Sequence, residues 1–425
     1  MAGAAGTRML GAAAGAMLAS LLGFTQAGAV DATAPAAIAQ PVIDRYHGVA
    51  VSDPYRWLED GAAPRVEAWS SAQNSRTRAY LDRLPIRATL HDRIMAAASK
   101  TSPSYHELTL AAGRLFSLTV QPPRQQPMVT VMPPSADPAA ARVVVDPNAL
   151  DPSGQTAIDW FVPAPDGSKL AVSLSRNGSE DGTVHVFDVA TGKDTGEAVP
   201  RAQYPTAGGS LAWKADSSGF WYTRYPGDER APDDRHFYQQ VYYHQLGSDP
   251  SKDSYVIGRD FPKIAEIALD ARQNPNAVLL SVANGDGGQF EHYVIGADGH
   301  VTQVTHFADQ VVAGSIGPDD VLYLVSKKAA PRGRILSLKL SDHDLSHATM
   351  LVPQGEGAIQ GGGEFGGVPV VVTGDALYLR ELVGGPSRVA IFAHDGTPKG
   401  EIPLPPITAV DELEPAGGGR VLYGV

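Results

Sequence analysis

The residues that could do chemistry in this chain come close to several known patterns and complete none of them. A serine nucleophile of the sharp-turn type needs Gly-x-Ser-x-Gly between a strand and a helix, so that its hydroxyl stands clear of the backbone. The nearest match is Ala313-Gly314-Ser315-Ile316-Gly317, with alanine at the first glycine and Pro318-Asp319-Asp320 and a strand pattern following. It reads as a turn between strands, not as a nucleophile. His343 and His347 stand four apart beside Asp342 and Asp344, a metal-ligand spacing if the segment were helical. They lie between two strand patterns, so a solvated loop is the expectation, with no metal and no cofactor. Glu59 and Asp60 are adjacent; such carboxylates diverge on a helix and offset its dipole instead of sharing a proton. The glycine-rich run Gly361-Gly362-Gly363-Glu364-Phe365-Gly366 precedes a strand and reads as a loop. Cysteine is absent, which removes thiol nucleophiles, disulfides and thiolate metal sites together.

The elements that carry these residues change character along the chain. Residues 1–29 hold Arg8, an apolar run from Met9 to Phe24 and the small-residue end Ala27-Gly28-Ala29, the pattern of a cleaved secretory signal. From Pro41 to Ser99 the pattern reads as helical. Asp53-Pro54 and then Pro64 supply start signals, and Val66, Trp69, Gln73, Thr77, Tyr80 and Leu84 fall three or four apart. Beyond Tyr105 the period becomes two, with Val-, Leu-, Tyr- and Phe-rich runs between Gly, Pro, Asp and Asn turns. A turn followed by such a run recurs at Gly113, Asp166, Asp216, Asn274, Asp319, Gly374 and Gly418. A beat of roughly 50 residues with several strands per unit predicts a β-propeller. The net charge of −12 argues against a nucleic-acid partner, which needs a basic stripe.

The block from Asp44 to Asp60 resembles the N-terminal signature of the prolyl oligopeptidase family. The residues that carry it are Tyr46, His47, Gly48, Asp53, Pro54, Tyr55, Trp57, Leu58, Glu59 and Asp60. Ala72-Gln73-Asn74, Val145-Asp146-Pro147-Asn148, Leu211-Ala212-Trp213 and Val241-Tyr242-Tyr243-His244 look like the same family. The resemblance implies a serine peptidase that cuts short peptides after proline. In that family an α/β-hydrolase domain carries Ser, Asp and His, and a seven-bladed propeller caps it and restricts entry. Within the signature, His47 reads as a packing or capping residue. Where relatives place an aromatic before the Leu-Ala-Trp strand this chain has Ala207-Gly208-Gly209, which departs from any shared wall of the specificity pocket.

The resulting expectation is mainly β: a signal over 1–29, a helical segment over 30–101 that packs on the hydrolase domain in the family, and an incomplete propeller over 102–425. That propeller has six blades and part of a seventh, with the α/β-hydrolase domain missing and the catalytic Ser, Asp and His expected beyond Val425. The chain reads as the substrate-filtering portion of a secreted or periplasmic peptidase, inactive by itself. Proline-containing peptides are its partners once a hydrolase domain is supplied, and no membrane partner is expected after signal cleavage. The alternative is a non-catalytic propeller that binds or scaffolds. A continuing reading frame with Gly-x-Ser-x-Gly, Asp and His separates the two.

Overall fold

The computed structural model describes residues 34–99, 102–135, 137–361, 368–417 and 419–425. The leader read in residues 1–29 and all but the first residue of the Gly361–Gly366 run lie outside them. Two compact units divide the chain, Met1–Lys100 and Thr101–Val425.

The first unit opens on a β-hairpin where a helical pattern was expected. Strands β1 (Val42–Tyr46) and β2 (Val49–Asp53) pair antiparallel through the two-residue turn His47-Gly48. Both turn residues have positive φ, 49° and 84°, the left-handed geometry of hairpin turns that match strand twist. The run Val42–Tyr46 carries no apolar alternation, so only Val49 and Val51 of the second strand hinted at a strand, and the Asp53-Pro54 start signal masked it. His47 is therefore an exposed turn residue, neither packed nor capping. Asp53 does accept the Tyr55 N–H at 2.9 Å as a cap would, but only the single 3-10 turn Arg56–Leu58 follows. Helix α1 (Pro64–Leu81) then begins on its N1 proline, and α2 (Ile86–Ala98) follows Pro85.

The second unit is a ring of antiparallel sheets. Blades 1 to 5 each have four strands in sequence order, spanning 104–145, 156–203, 211–257, 265–305 and 311–352. Blade 6 (358–401) has five strands, its inner edge split into Ala358–Ile359 and Val370–Val372. The seventh sheet pairs Glu412–Gly417 with Arg420–Gly424. The repeated turn-then-strand runs of the sequence are the second strands of the blades, such as Arg114–Val120, Lys169–Arg176 and Val321–Ser326.

The apolar core is divided among the seams between neighbouring blades. Phe116, Val129, Phe161 and Leu170 join blades 1 and 2; Val199, Trp213 and Phe220 join 2 and 3; Trp221, Ile267 and Leu280 join 3 and 4. Leu279 with Leu322, Tyr323 with Leu377, and Val371 with Leu413 continue the series around to the seventh sheet. At about 1.5–3 kcal/mol for each fully buried apolar side chain, these six layers hold the blades in their ring. The remaining seam, between the seventh sheet and blade 1, has no such apolar layer among the described residues. There Glu412 accepts the backbone N–H groups of Glu107 and Leu108, the latter at 2.8 Å.

Candidate functional site in the central channel

Each blade's first strand faces the ring's interior, and the strands together enclose a cavity of about 730 Å³. Seen from the sequence these strands are the weak ones. One face of each meets a wet channel, so polar residues interrupt the apolar alternation. Blade 1 contributes Glu107 from a bulge between His106 and Thr109 where the ladder register shifts. Blade 2 contributes Asp159 and Trp160, blade 4 Asp270 with Arg272 just beyond its strand, blade 6 Arg380, and the seventh sheet Glu412 and Glu414.

The charges are coupled. Arg272 donates from Nε to Asp270 at 3.0 Å and from Nη1 to Glu414 at 3.4 Å, tying blade 4 to the seventh sheet across the ring. Burial pushes the Glu414 carboxyl up to about 7, Arg272 opposing and Asp270 and Glu412 adding to the rise. Burial works against the Asp270 charge as well, but the adjacent Arg272 outweighs it and holds that carboxyl below the usual range. Glu107 is reached by solvent inside the channel yet ringed by protein; desolvation, then the Glu412 charge, raises it to about 7. Asp159 is raised by burial, against the opposing hydrogen bonds of Ser175 and Ser173 at 2.6 and 2.7 Å. The Trp160 indole N–H and the Gln203 amide oxygen are buried with no partner among the described residues. Such a lining suits an extended polar chain, because it offers charges of both signs and unspent hydrogen-bonding groups.

Among the described residues of the channel, none pairs as a nucleophile with its base. Ser315 lies within the strand Val311–Ile316, not in a turn, is 1% exposed, and donates to the Val370 carbonyl at 3.1 Å. It is a stitch between blades 5 and 6. His347 contacts Asp342 at 2.9 Å from the exposed 3-10 turn Leu345–His347, and His343 sits in the loop before it. Among the described residues no three His, Asp or Glu converge in a geometry that would hold a metal. Sequence reading passed over one Ser–His hydrogen bond, Ser104 Oγ to His106 Nε2 at 2.9 Å; it is exposed, and no carboxylate orients that ring among the described residues.

The signature block belongs to the first unit. Arg56 binds Asp53 at 2.9 Å and Asp44 at 2.5 Å, pinning the 3-10 turn to the hairpin, and Glu59 adds a longer contact at 3.4 Å. Trp57 donates to the Ile38 carbonyl at 2.9 Å and meets Trp69 of α1 edge-on. Tyr46 ends β1, Pro54 and Tyr55 form the following turn, and Leu58 closes it ahead of Asp60. The block is thus a structural knot. Gly208 and Gly209 do face the channel, and a Cβ on Gly209 would fall 2.1 Å from the Ala202 carbonyl oxygen, so only glycine fits there.

A profile of the prolyl oligopeptidase N-terminal β-propeller domain matches residues 35–422, from before the hairpin into the seventh sheet. The chain belongs to the prolyl oligopeptidase family. Prolyl endopeptidase of Elizabethkingia meningoseptica is 28% identical over 311 residues, covering 70% of this chain and 41% of the relative. Prolyl oligopeptidase A of Galerina marginata is 27% identical over 256 residues, 55% of this chain and 34% of the relative. Among solved structures, one from a study of two prolyl endopeptidases superposes with a TM-score of 0.77 at 25% identity, covering 90% of this chain and 54% of that one. Prolyl oligopeptidase B of Galerina marginata, bound to a 35-residue substrate, shares the fold with a TM-score of 0.70 at 19% identity, over 87% of this chain and 54% of that one. This prolyl oligopeptidase propeller therefore spans about two-fifths of the length of its first curated relative and about half of the solved chains.

Proposed function

We propose that this chain is the N-terminal and propeller portion of a secreted or periplasmic serine peptidase that cleaves short peptides after proline. Its own part is to admit extended peptides, while the nucleophile, base and acid reside in a hydrolase domain. The observation that carries the reading is the family match across both the signature unit and the ring, residues 35–422. The channel supports it: the cavity is lined by charges of both signs and by buried polar groups without a partner among the described residues. Export rests on Arg8, the apolar run Met9–Phe24 and Ala27-Gly28-Ala29.

Two preparations test this. Residues 30–425 expressed alone should not release chromophore from a proline-linked chromogenic peptide. The native polypeptide, captured from its source with an antibody against the propeller, should do so and should be blocked by a serine-directed inhibitor. Inhibitor-sensitive turnover by the isolated chain, or none by the captured polypeptide, overturns the proposal.

A further inference from the structure

A second cleft, of about 760 Å³, opens between blades 4 and 5, away from the central channel. Part of its lining is apolar, from Val304, Leu336 and Leu345. Two carboxylates and two cations also line it, beside His306, His343 and Gln303, and the charged groups are not equivalent. Asp309 already accepts the His306 backbone N–H at 2.8 Å, and Asp344 that of Ser346 at 2.8 Å. Neither Arg334 nor Lys328 has a side-chain hydrogen bond or ion pair among the described residues, and the Arg334 Nε is buried without a partner. A guanidinium donor withdrawn from water and left unpaired is unfavourable unless an acceptor completes it, and the acceptor that fits its planar fork is an oxyanion.

We infer that this cleft binds an apolar α-carboxylate, the C-terminal residue of a peptide. Arg334 receives the carboxylate, Lys328 adds positive charge from the exposed side, and Val304, Leu336 and Leu345 take the side chain. A monoanion fits better than a phosphate for two reasons. The fixed charges of Asp309 and Asp344 border the site and oppose a dianion more strongly. The apolar lining is used only by a ligand with a hydrocarbon group. The inference is independent of the reading of the central channel, since the two sites share no residue.

Calorimetric titration of the full 425-residue chain with N-acetyl-leucine, N-acetyl-leucinamide, Ala-Ala-Leu and inorganic phosphate tests it. The expected order is Ala-Ala-Leu at least as tight as N-acetyl-leucine, with the amide and phosphate weaker by roughly tenfold or more, the scale of a lost charge-assisted contact. Arg334→Gln should weaken N-acetyl-leucine by a similar factor and Arg334→Lys by less. Lys328→Gln, at an exposed position where folding is not at stake, should weaken it several-fold. Thermal melting checks that each variant folds. Equal binding of acid and amide, equal binding of phosphate, a free acid tighter than the tripeptide, or unchanged binding in folded Arg334→Gln and Lys328→Gln overturns the inference.

Discussion

Glu412 closes the ring, and replacing it with alanine is a test of how. Six seams of this propeller are sealed by apolar layers, whereas at the seventh a single carboxylate receives two backbone N–H groups from a bulge 305 and 304 residues earlier in the chain. Those amides cannot join the blade 1 ladder, because the register shifts between His106 and Thr109 and Glu107 adopts a φ of 52°. A hydrogen bond to a charged acceptor contributes about 1.5–3 kcal/mol. Channel water reaches Glu107 and recovers part of the loss, so Glu412→Ala should destabilise the second unit by about 2–4 kcal/mol. Glu412→Gln keeps an acceptor and removes the like charge beside Glu107, and should cost about half as much. Denaturant unfolding gives the total, and hydrogen exchange read by mass spectrometry on the segment 104–111 gives the location. The expected result is faster exchange at amides 107 and 108 in the alanine variant, intermediate in the glutamine variant. Unchanged protection of these amides with an unchanged unfolding midpoint would refute the carboxylate clamp.

Other expectations concern buried histidines and close contacts. His244 is fully buried between Asp253 at 2.7 Å and Glu197 at 3.0 Å; although burial disfavours its charge, the two carboxylates raise its pKa. The stability it adds is fully present below about pH 6.5 and fades as pH rises through the raised value, so the gap between wild type and His244→Gln in denaturant midpoints should narrow toward alkaline pH. His292 has the opposite sign: burial lowers it to about 4, so the unfolded chain takes up its proton first as pH falls. Between pH 6.5 and 4 the wild type should lose about 3 kcal/mol that His292→Asn retains, read from the same titration. Ser315→Ala should leave peptidase activity of the captured native polypeptide unchanged and lower stability by about 1 kcal/mol; loss of turnover with the fold intact would return Ser315 to candidacy as a nucleophile. Gly209→Ala should destabilise by more than a surface substitution, since the Ala202 carbonyl oxygen occupies the methyl's position; an unchanged melting temperature would contradict that contact.

How much of this was legible depends on which face of a strand water touches. Second strands such as Met128–Met132's neighbour Arg114–Val120 and Ala277–Asn284 are buried on both sides, so their apolar runs and preceding turns stand out and set the blade repeat. First strands line the channel and are either short, as Leu211–Trp213, or bulged with polar residues mixed into the alternation, as Ser104–Ala111. Fourth strands such as Asp194–Gln203 are edge strands with charged faces and were equally faint. The hairpin Val42–Asp53 was misread as helix because Asp53-Pro54 is a genuine start signal that here begins one 3-10 turn. The channel carboxylates could not be grouped from sequence at all. Glu107, Asp270 and Glu414 meet only because the ring closes, and none lies in a motif. Of the two lookalike motifs, Ser315 is a strand residue and not the turn residue the sequence suggested, and all but the first residue of the Gly361–Gly366 run lies outside the described residues.

On the proposed function this propeller serves a peptidase acting on short peptides after proline. The most direct measurement is mass spectrometry of a peptide library, together with folded proteins containing proline, after incubation with the captured native polypeptide. The expected cuts fall on the carboxyl side of proline and are confined to short unstructured peptides. Cuts at other residues, or equal cleavage of the folded proteins, would contradict that function.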